Sequence, residues 1–193
     1  MASVPANPPE GSTYRGPARW PLSVEAYHTL GDMGLIPKKS ELLYGFVFHK
    51  MSKSPLHTLL VLRLIQLIQA RLPAGCHLRA EQPLTFADSE PEPDVSVVRG
   101  SVDDYPKKHP TTAELVVEVS VTSHDYDRDK LAAYAAAGVQ EAWLVLGPER
   151  LVEVYRRPEA GRYVESAVFS ADGIIGSATL PGVHVALPEL FRG

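Results

Sequence analysis

Asp94 and Glu118 are the two acids of this chain whose surroundings point to chemistry. Asp94 follows Glu90-Pro91-Glu92-Pro93 and opens the apolar run Val95-Ser96-Val97-Val98, while Glu118 stands inside Leu115-Val116-Val117-Glu118-Val119-Ser120. In an extended strand, alternation gives Val117 and Val119 one face and Val116, Glu118 and Ser120 the other, so Glu118 enters a layer with aliphatic neighbours. A carboxylate in that position needs a partner or a cation. Lys130 follows on a helical pattern and shares a face with Tyr126 and Tyr134, at i−4 and i+4. The separations, 24 residues from Asp94 to Glu118 and 12 from Glu118 to Lys130, leave room for strand, turn, strand and helix start to converge at one sheet end. Two carboxylates and a lysine so arranged suit metal-assisted phosphodiester hydrolysis. Hard oxygen ligands hold Mg²⁺, which activates water and offsets charge on the phosphorane. The lysine supplies a fixed cation that orients the attacking water or stabilises the developing oxyanion.

These residues need a scaffold, and the chain predicts one of α/β (α+β) class. Ser23 is placed to cap a helix from Val24 to about Met33, with Gly34 as its stop, and Leu42 to Met51 reads as extended chain. Ser54 and Pro55 announce a helix to about Leu72 whose apolar stripe includes Leu56, Leu59, Leu60, Leu64, Leu67 and Ile68. Beyond Cys76, short β-type runs dominate: 77–86, 94–98, 115–119, 142–146, 151–155 and 163–169. An alanine-rich helix from about Asp125 to Ala137 interrupts them, capped by Ser123 and stopped by Gly138. Gly147-Pro148-Glu149-Arg150 reads as a hairpin connection, and 187–191 as one helical turn. Residues 1–21, carrying Pro5, Pro8, Pro9, Pro17 and Pro21, read as a disordered arm, and 22–193 as a single domain.

Composition supports a soluble globular protein. With 193 residues, 45% of them hydrophobic, the chain can bury a core without a structural metal or disulfide. Its lone cysteine, Cys76, excludes an intramolecular disulfide and cysteine-rich zinc sites, and fits a reducing cytosol. No apolar run approaches membrane-spanning length and no leader pattern opens the chain, so the expected location is cytoplasmic, with no membrane partner. The net charge of −4 offers no global attraction to a polyanion. Its distribution is uneven, however. Residues 35–80 hold Lys38, Lys39, Lys50, Lys53, Arg63, Arg71 and Arg79 against Glu41 alone, a stretch a polyanionic substrate could use. Glu81, Asp88, Glu90, Glu92 and Asp94 follow without a base among them, a density that requires solvent or cations.

Many short segments in one order carry a further likeness: Ser54-Pro55-Leu56-His57, Glu81-Gln82-Pro83-Leu84, Glu90 to Gly100, Asp104-Tyr105, His109-Pro110, Leu115 to Val119, Tyr126 to Leu131, Tyr134 to Val139, Glu141 and Trp143. Across nearly all of residues 22–191 the chain resembles the large bacterial family of Uma-two type putative restriction endonucleases, within the PD-(D/E)XK nuclease superfamily. The resemblance implies a restriction-endonuclease-like mixed β-sheet flanked by helices. It further implies Mg²⁺, with Mn²⁺ able to substitute, held by Asp94, Glu118 and the Val119 carbonyl, and Lys130 as catalytic lysine. The superfamily often places that lysine two residues after the strand acid, where this chain has Ser120. His57 and Glu81 correspond to secondary members of the catalytic site, and a homodimer is the implied assembly. Tyr44 and Phe46 stand where relatives often carry Asp and Glu around the glycine equivalent to Gly45, and Ala142 replaces a usual tyrosine.

The expected activity is therefore a Mg²⁺-dependent endonuclease that hydrolyses phosphodiester bonds of DNA. The alternative is a non-catalytic nucleic-acid or protein-binding module that retains the nuclease fold. A glycosidase using Asp94 and Glu118 as acid and base ranks far below, because it leaves Lys130 without a role.

Overall fold

The structure, a computed structural model, describes residues 20–192. The expected arm over 1–21 therefore lies outside the described residues apart from Trp20 and Pro21. Helix α1 (Val24–Asp32) starts at Ser23, whose side chain accepts from the Ala26 amide. A hairpin follows, β1 (Ser40–Leu43) and β2 (Phe46–His49). The continuous extended run expected over 42–51 is thus two strands. Tyr44 at φ 53° and Gly45 at φ 76° turn the chain between them, the pair of positive φ values that a two-residue hairpin of type I′ demands. A side chain at position 45 would also collide with Pro21, its Cβ falling 2.3 Å from that of the proline.

Helix α2 (Pro55–Gln69) begins as its sequence dictates, with Ser54 accepting from the His57 amide and proline in the first turn. Leu60, Val61, Leu64 and Ile68 are its buried face. Leu56 and Leu59, expected on that stripe, are 39% and 42% exposed. Leu59 stands one residue out of phase with the line through Leu60, Leu64 and Ile68, while Leu56 is on that line but in the helix's first turn.

The central sheet has six strands: β3 (Cys76–Ala80), β4 (Val95–Arg99), β5 (Leu115–Ser120), β6 (Glu141–Leu146), β7 (Leu151–Glu159) and β8 (Arg162–Ser170), in that spatial order. All neighbours are antiparallel except β5 and β6. Helix α3 (His124–Ala136) makes the crossover that this parallel pair requires. The strand expected over 77–86 stops at Ala80, because Glu81 takes φ 53° and turns the chain away. Ser123 occupies the cap position of α3 without a side-chain cap bond; its hydroxyl donates to Asp127 Oδ2 instead. A two-stranded ribbon that the sequence did not announce, β9 (Ile174–Gly176) and β10 (His184–Ala186), leads into the last turn, α4 (Leu187–Leu190).

Odd and even positions of β5 serve two cores. Leu115, Val117 and Val119 join Leu60, Leu64, Ile68 and Trp143 in the core that also takes in Val185 and Leu187. Val116 joins Leu84, Val139 and Tyr134 on the other face. Glu118 shares the Val116 face, as alternation requires. No helix among the described residues is long and apolar enough to cross a membrane.

Candidate active site

Strand pairing brings the two predicted acids together. The β4 and β5 ladder ends with Val95 opposite Val117, so one residue further in the same register Asp94 comes opposite Glu118, on one face of the sheet. Directly opposed residues hold their Cβ atoms roughly 5 Å apart. The Asp94 carboxylate is anchored through one oxygen: Oδ2 accepts from the Val119 amide at 2.8 Å and meets His57 Nε2 at 3.1 Å. Glu118 is anchored likewise. Its Oε1 accepts from Tyr134 Oη at 2.5 Å and from Lys130 Nζ at 3.2 Å. Each acid thus keeps a second oxygen clear of these anchors.

Lys130 is no surface charge. It is 4% exposed, bonded on one side to Glu118 and on the other to Glu41 Oε1 at 3.0 Å, with the Tyr126 ring 5.1 Å from its ammonium. Tyr126 Oη donates to the same Glu41 oxygen at 2.8 Å. The helical face that groups Tyr126, Lys130 and Tyr134 therefore delivers one amine and two hydroxyls to two carboxylates.

Glu41 is the member that sequence reasoning passed over. It lies on β1, 2% exposed, and its Oε2 accepts from the Glu92 amide. The hairpin is held against α3 by Tyr44, whose hydroxyl donates to the Asp129 carbonyl, and by the Phe48 and Tyr126 rings, 5.2 Å apart. Its signal was visible as the only acid in the basic stretch 35–80. Asp127, 6% exposed, is a second member not foreseen.

The other sequence candidates divide. His57, at the start of α2, touches Asp94 directly. Glu81 is 48% exposed at the rim and reaches the site through Lys53, whose Nζ is 2.5 Å from Glu81 Oε1 and 3.5 Å from Asp94 Oδ1. The basic stretch does not converge. Arg63 donates to the Leu190 and Arg192 carbonyls, Arg71 to His184, and Arg79 to the Pro83 carbonyl. Lys53 brings its charge to Asp94, while Lys50 pairs with Glu92. The acidic run disperses as well, Glu90 meeting His28 and Thr85 where Asp94 meets His57 and the Val119 amide.

Electrostatics follow from crowding. Glu41, Asp94, Glu118 and Asp127 are all buried, and they outnumber the ammonium groups of Lys130 and Lys53. Burial pushes the Glu118 carboxyl up to about 8; Lys130 opposes the shift, while Asp94, Asp127 and Glu41 reinforce it. Burial also acts on Asp94, but the His57 hydrogen bond and charge, the Val119 amide and Lys53 hold that carboxyl below its ordinary range. Burial disfavours the Lys130 ammonium, and the flanking Glu118 and Glu41 more than reverse this, so lysine keeps its proton.

Such a surplus of buried negative charge suits a hard divalent cation. Among the described residues no three His, Cys, Asp or Glu side chains gather as a metal site. A cation would therefore rest on Asp94, Glu118, a backbone carbonyl such as that of Val119, and water, the sparse all-oxygen set that Mg²⁺ accepts.

The family model Uma2, described as putative restriction endonuclease, matches residues 25–188. Among solved structures, the chain is similar to the crystal structure of a putative nuclease belonging to DUF820 from Anabaena variabilis. The TM-score is 0.69 at 20% identity, covering 89% of this chain and 98% of that one. At that identity the likeness is one of fold. A comparison with curated proteins finds no match.

Proposed function

Because this chain belongs to the Uma2 family of putative restriction endonucleases, we propose that it is a Mg²⁺-dependent endonuclease acting on DNA, with Asp94 and Glu118 as metal ligands and Lys130 beside the reacting phosphate. One observation carries the reading: a single buried ammonium is fixed among buried acids, two of which face each other across adjacent strands. When bound, the ion activates water and offsets charge on the phosphoryl oxygens.

The protein's own groups divide the remaining work. Lys130 keeps its proton, held by Glu118 and Glu41, so it acts by charge and hydrogen-bond donation and not as a base. Tyr134 and Tyr126 fix the two carboxylates that position it. His57 and the Val119 amide orient Asp94; His57 is a positioning residue. Glu81 is a positioning residue at one further remove, through Lys53.

The test is turnover. Purified protein should cut at least one of single-stranded, double-stranded and branched DNA with Mg²⁺ or Mn²⁺, fall silent in EDTA, and lose activity on the order of a thousandfold with Asp94→Asn. Persistent cutting by Asp94→Asn overturns the assignment, and DNA binding without turnover by the wild type favours the non-catalytic module.

A further inference from the structure

Two lysines serve this site, and their surroundings differ. Lys130 is locked: 5% side-chain exposure, carboxylates on two sides and a tyrosine ring against it. Lys53 is not. It sits in the irregular segment 50–54 between β2 and α2, its side chain is 32% exposed, and its contacts are Glu81 Oε1 at 2.5 Å and Asp94 Oδ1 at 3.5 Å. Oδ1 is the oxygen of Asp94 that the Val119 amide and His57 leave clear, and so the one a divalent ion would use. An ammonium and a dication cannot both approach that atom closely without repelling each other at short range.

We propose that Lys53 is a displaceable cation, competing with the divalent ion for Asp94 Oδ1 and, once displaced, pairing with a phosphate of the nucleic-acid strand. The inference rests on the metal-dependent reading above and gives this lysine a part in substrate capture. Three features support it. The segment that carries Lys53 belongs to no helix or strand, so moving its side chain breaks no backbone ladder. Glu81 is half exposed and already holds the ammonium at the rim, giving it a second foothold outside Asp94. Lys53 is also the member of the basic stretch whose charge reaches a site carboxylate, since Arg63, Arg71 and Arg79 are spent on structural contacts elsewhere. An ammonium on a flexible stem suits a charge that changes partners.

The experiment compares Mn²⁺ isotherms and DNA binding for the full-length wild type, Lys53→Met, Glu81→Gln and Lys50→Met, each checked by circular dichroism. Lys53→Met should bind Mn²⁺ about tenfold tighter, having lost the competitor. In Ca²⁺ it should bind a short duplex more weakly, with a salt dependence lower by about one phosphate contact. Glu81→Gln should bind Mn²⁺ more weakly than wild type, because the ammonium then has only Asp94. Lys50→Met removes the same charge from a neighbouring residue paired to Glu92, and should leave Mn²⁺ affinity within about twofold. Opposite shifts for metal and DNA in Lys53→Met support the exchange. An unchanged Mn²⁺ affinity, an unchanged DNA affinity, or equal tightening in Lys50→Met overturns it while leaving the metal reading intact. If neither wild type nor Lys53→Met binds Mn²⁺, the metal reading falls and takes this inference with it.

Discussion

Glu118 and Glu141 are both buried, on adjacent parallel strands, yet they are satisfied in opposite ways. Glu141, at the start of β6, lies opposite Leu115 at the far end of β5 from Ser120. Its Oε1 accepts from Trp143 Nε1 and Arg156 Nε, and its Oε2 from Ser177 Oγ and the Ala178 amide. Four donors on two oxygens staple the segment before β10 to the sheet. Among the described residues Glu118 has donors on one oxygen only, and acids crowd it from β1, from the residue before β4 and from α3. Burial alone therefore does not mark a functional carboxylate. What separates the two is whether the fold completes the acid's coordination or leaves part of it to something else.

Substitution should split the pair. Glu118→Gln removes a metal-binding oxygen and relieves acid crowding, so DNA cleavage should fall on the order of a thousandfold while the melting temperature holds or rises. Cleavage assays beside thermal melts check this, and a large loss of stability would place Glu118 in the structural class with Glu141. Glu141→Gln should do the reverse. The amide keeps one acceptor oxygen, so one of the two donor pairs, Trp143 with Arg156 or Ser177 with Ala178, faces an NH2 group, and Arg156 loses its counter-charge, at about 3 kcal/mol; the low end of the range for a broken buried pair applies because the arginine is partly exposed. Activity per folded molecule should survive, as chemical denaturation and active-site titration would establish.

This contrast also explains what could be read before the fold was known. Glu118 was legible because its strand pattern is local: alternation places it on a face, and its apolar neighbours imply burial. Lys130 and its two tyrosines were legible for the same reason, through helical spacing. Glu41 was not, because its role depends on a hairpin docking against α3 through Tyr44 and Tyr126, a tertiary contact spanning 85 residues. The basic stretch misled in the opposite sense. Charge density in a sequence says nothing of direction: Arg63 and Arg71 turn to a carbonyl and a histidine of distant segments, and Arg79 to the carbonyl of nearby Pro83. The extended run 42–51 concealed a hairpin because Tyr44, unlike Gly45, carries no conspicuous turn chemistry.

The pH dependence of stability sharpens the comparison at a smaller scale. In a chelating buffer the folded Glu118 carboxyl gives up its proton near 8, against 4.5 for the ordinary side chain. Between those values the folded state binds more protons than the unfolded one, so the contribution is fully present below the lower value and is lost as pH rises toward the upper. The stability of wild type relative to Glu118→Gln should accordingly fall between about pH 5 and 8, with a slope never above about 1.4 kcal/mol per pH unit. Denaturation series at fixed pH measure it. A flat difference across this range would mean that Glu118 is ionised in the fold without a metal.

Tyr134→Phe should give the smallest effect and test the anchoring itself. The tyrosine is fully buried and its hydroxyl has one described partner, Glu118 Oε1, so deleting the oxygen removes one donor and leaves the ring's packing against Phe86 in place. A single such bond is worth about 1 kcal/mol of stability. Lys130 remains on the same oxygen, which keeps the carboxylate near its position but free to rotate. Metal affinity should therefore drop severalfold while DNA binding in Ca²⁺ changes little, separating ligand orientation from substrate capture. Equal loss in both measurements would show that Tyr134 supports the whole sheet end and that only Lys130 fixes the carboxylate's aim.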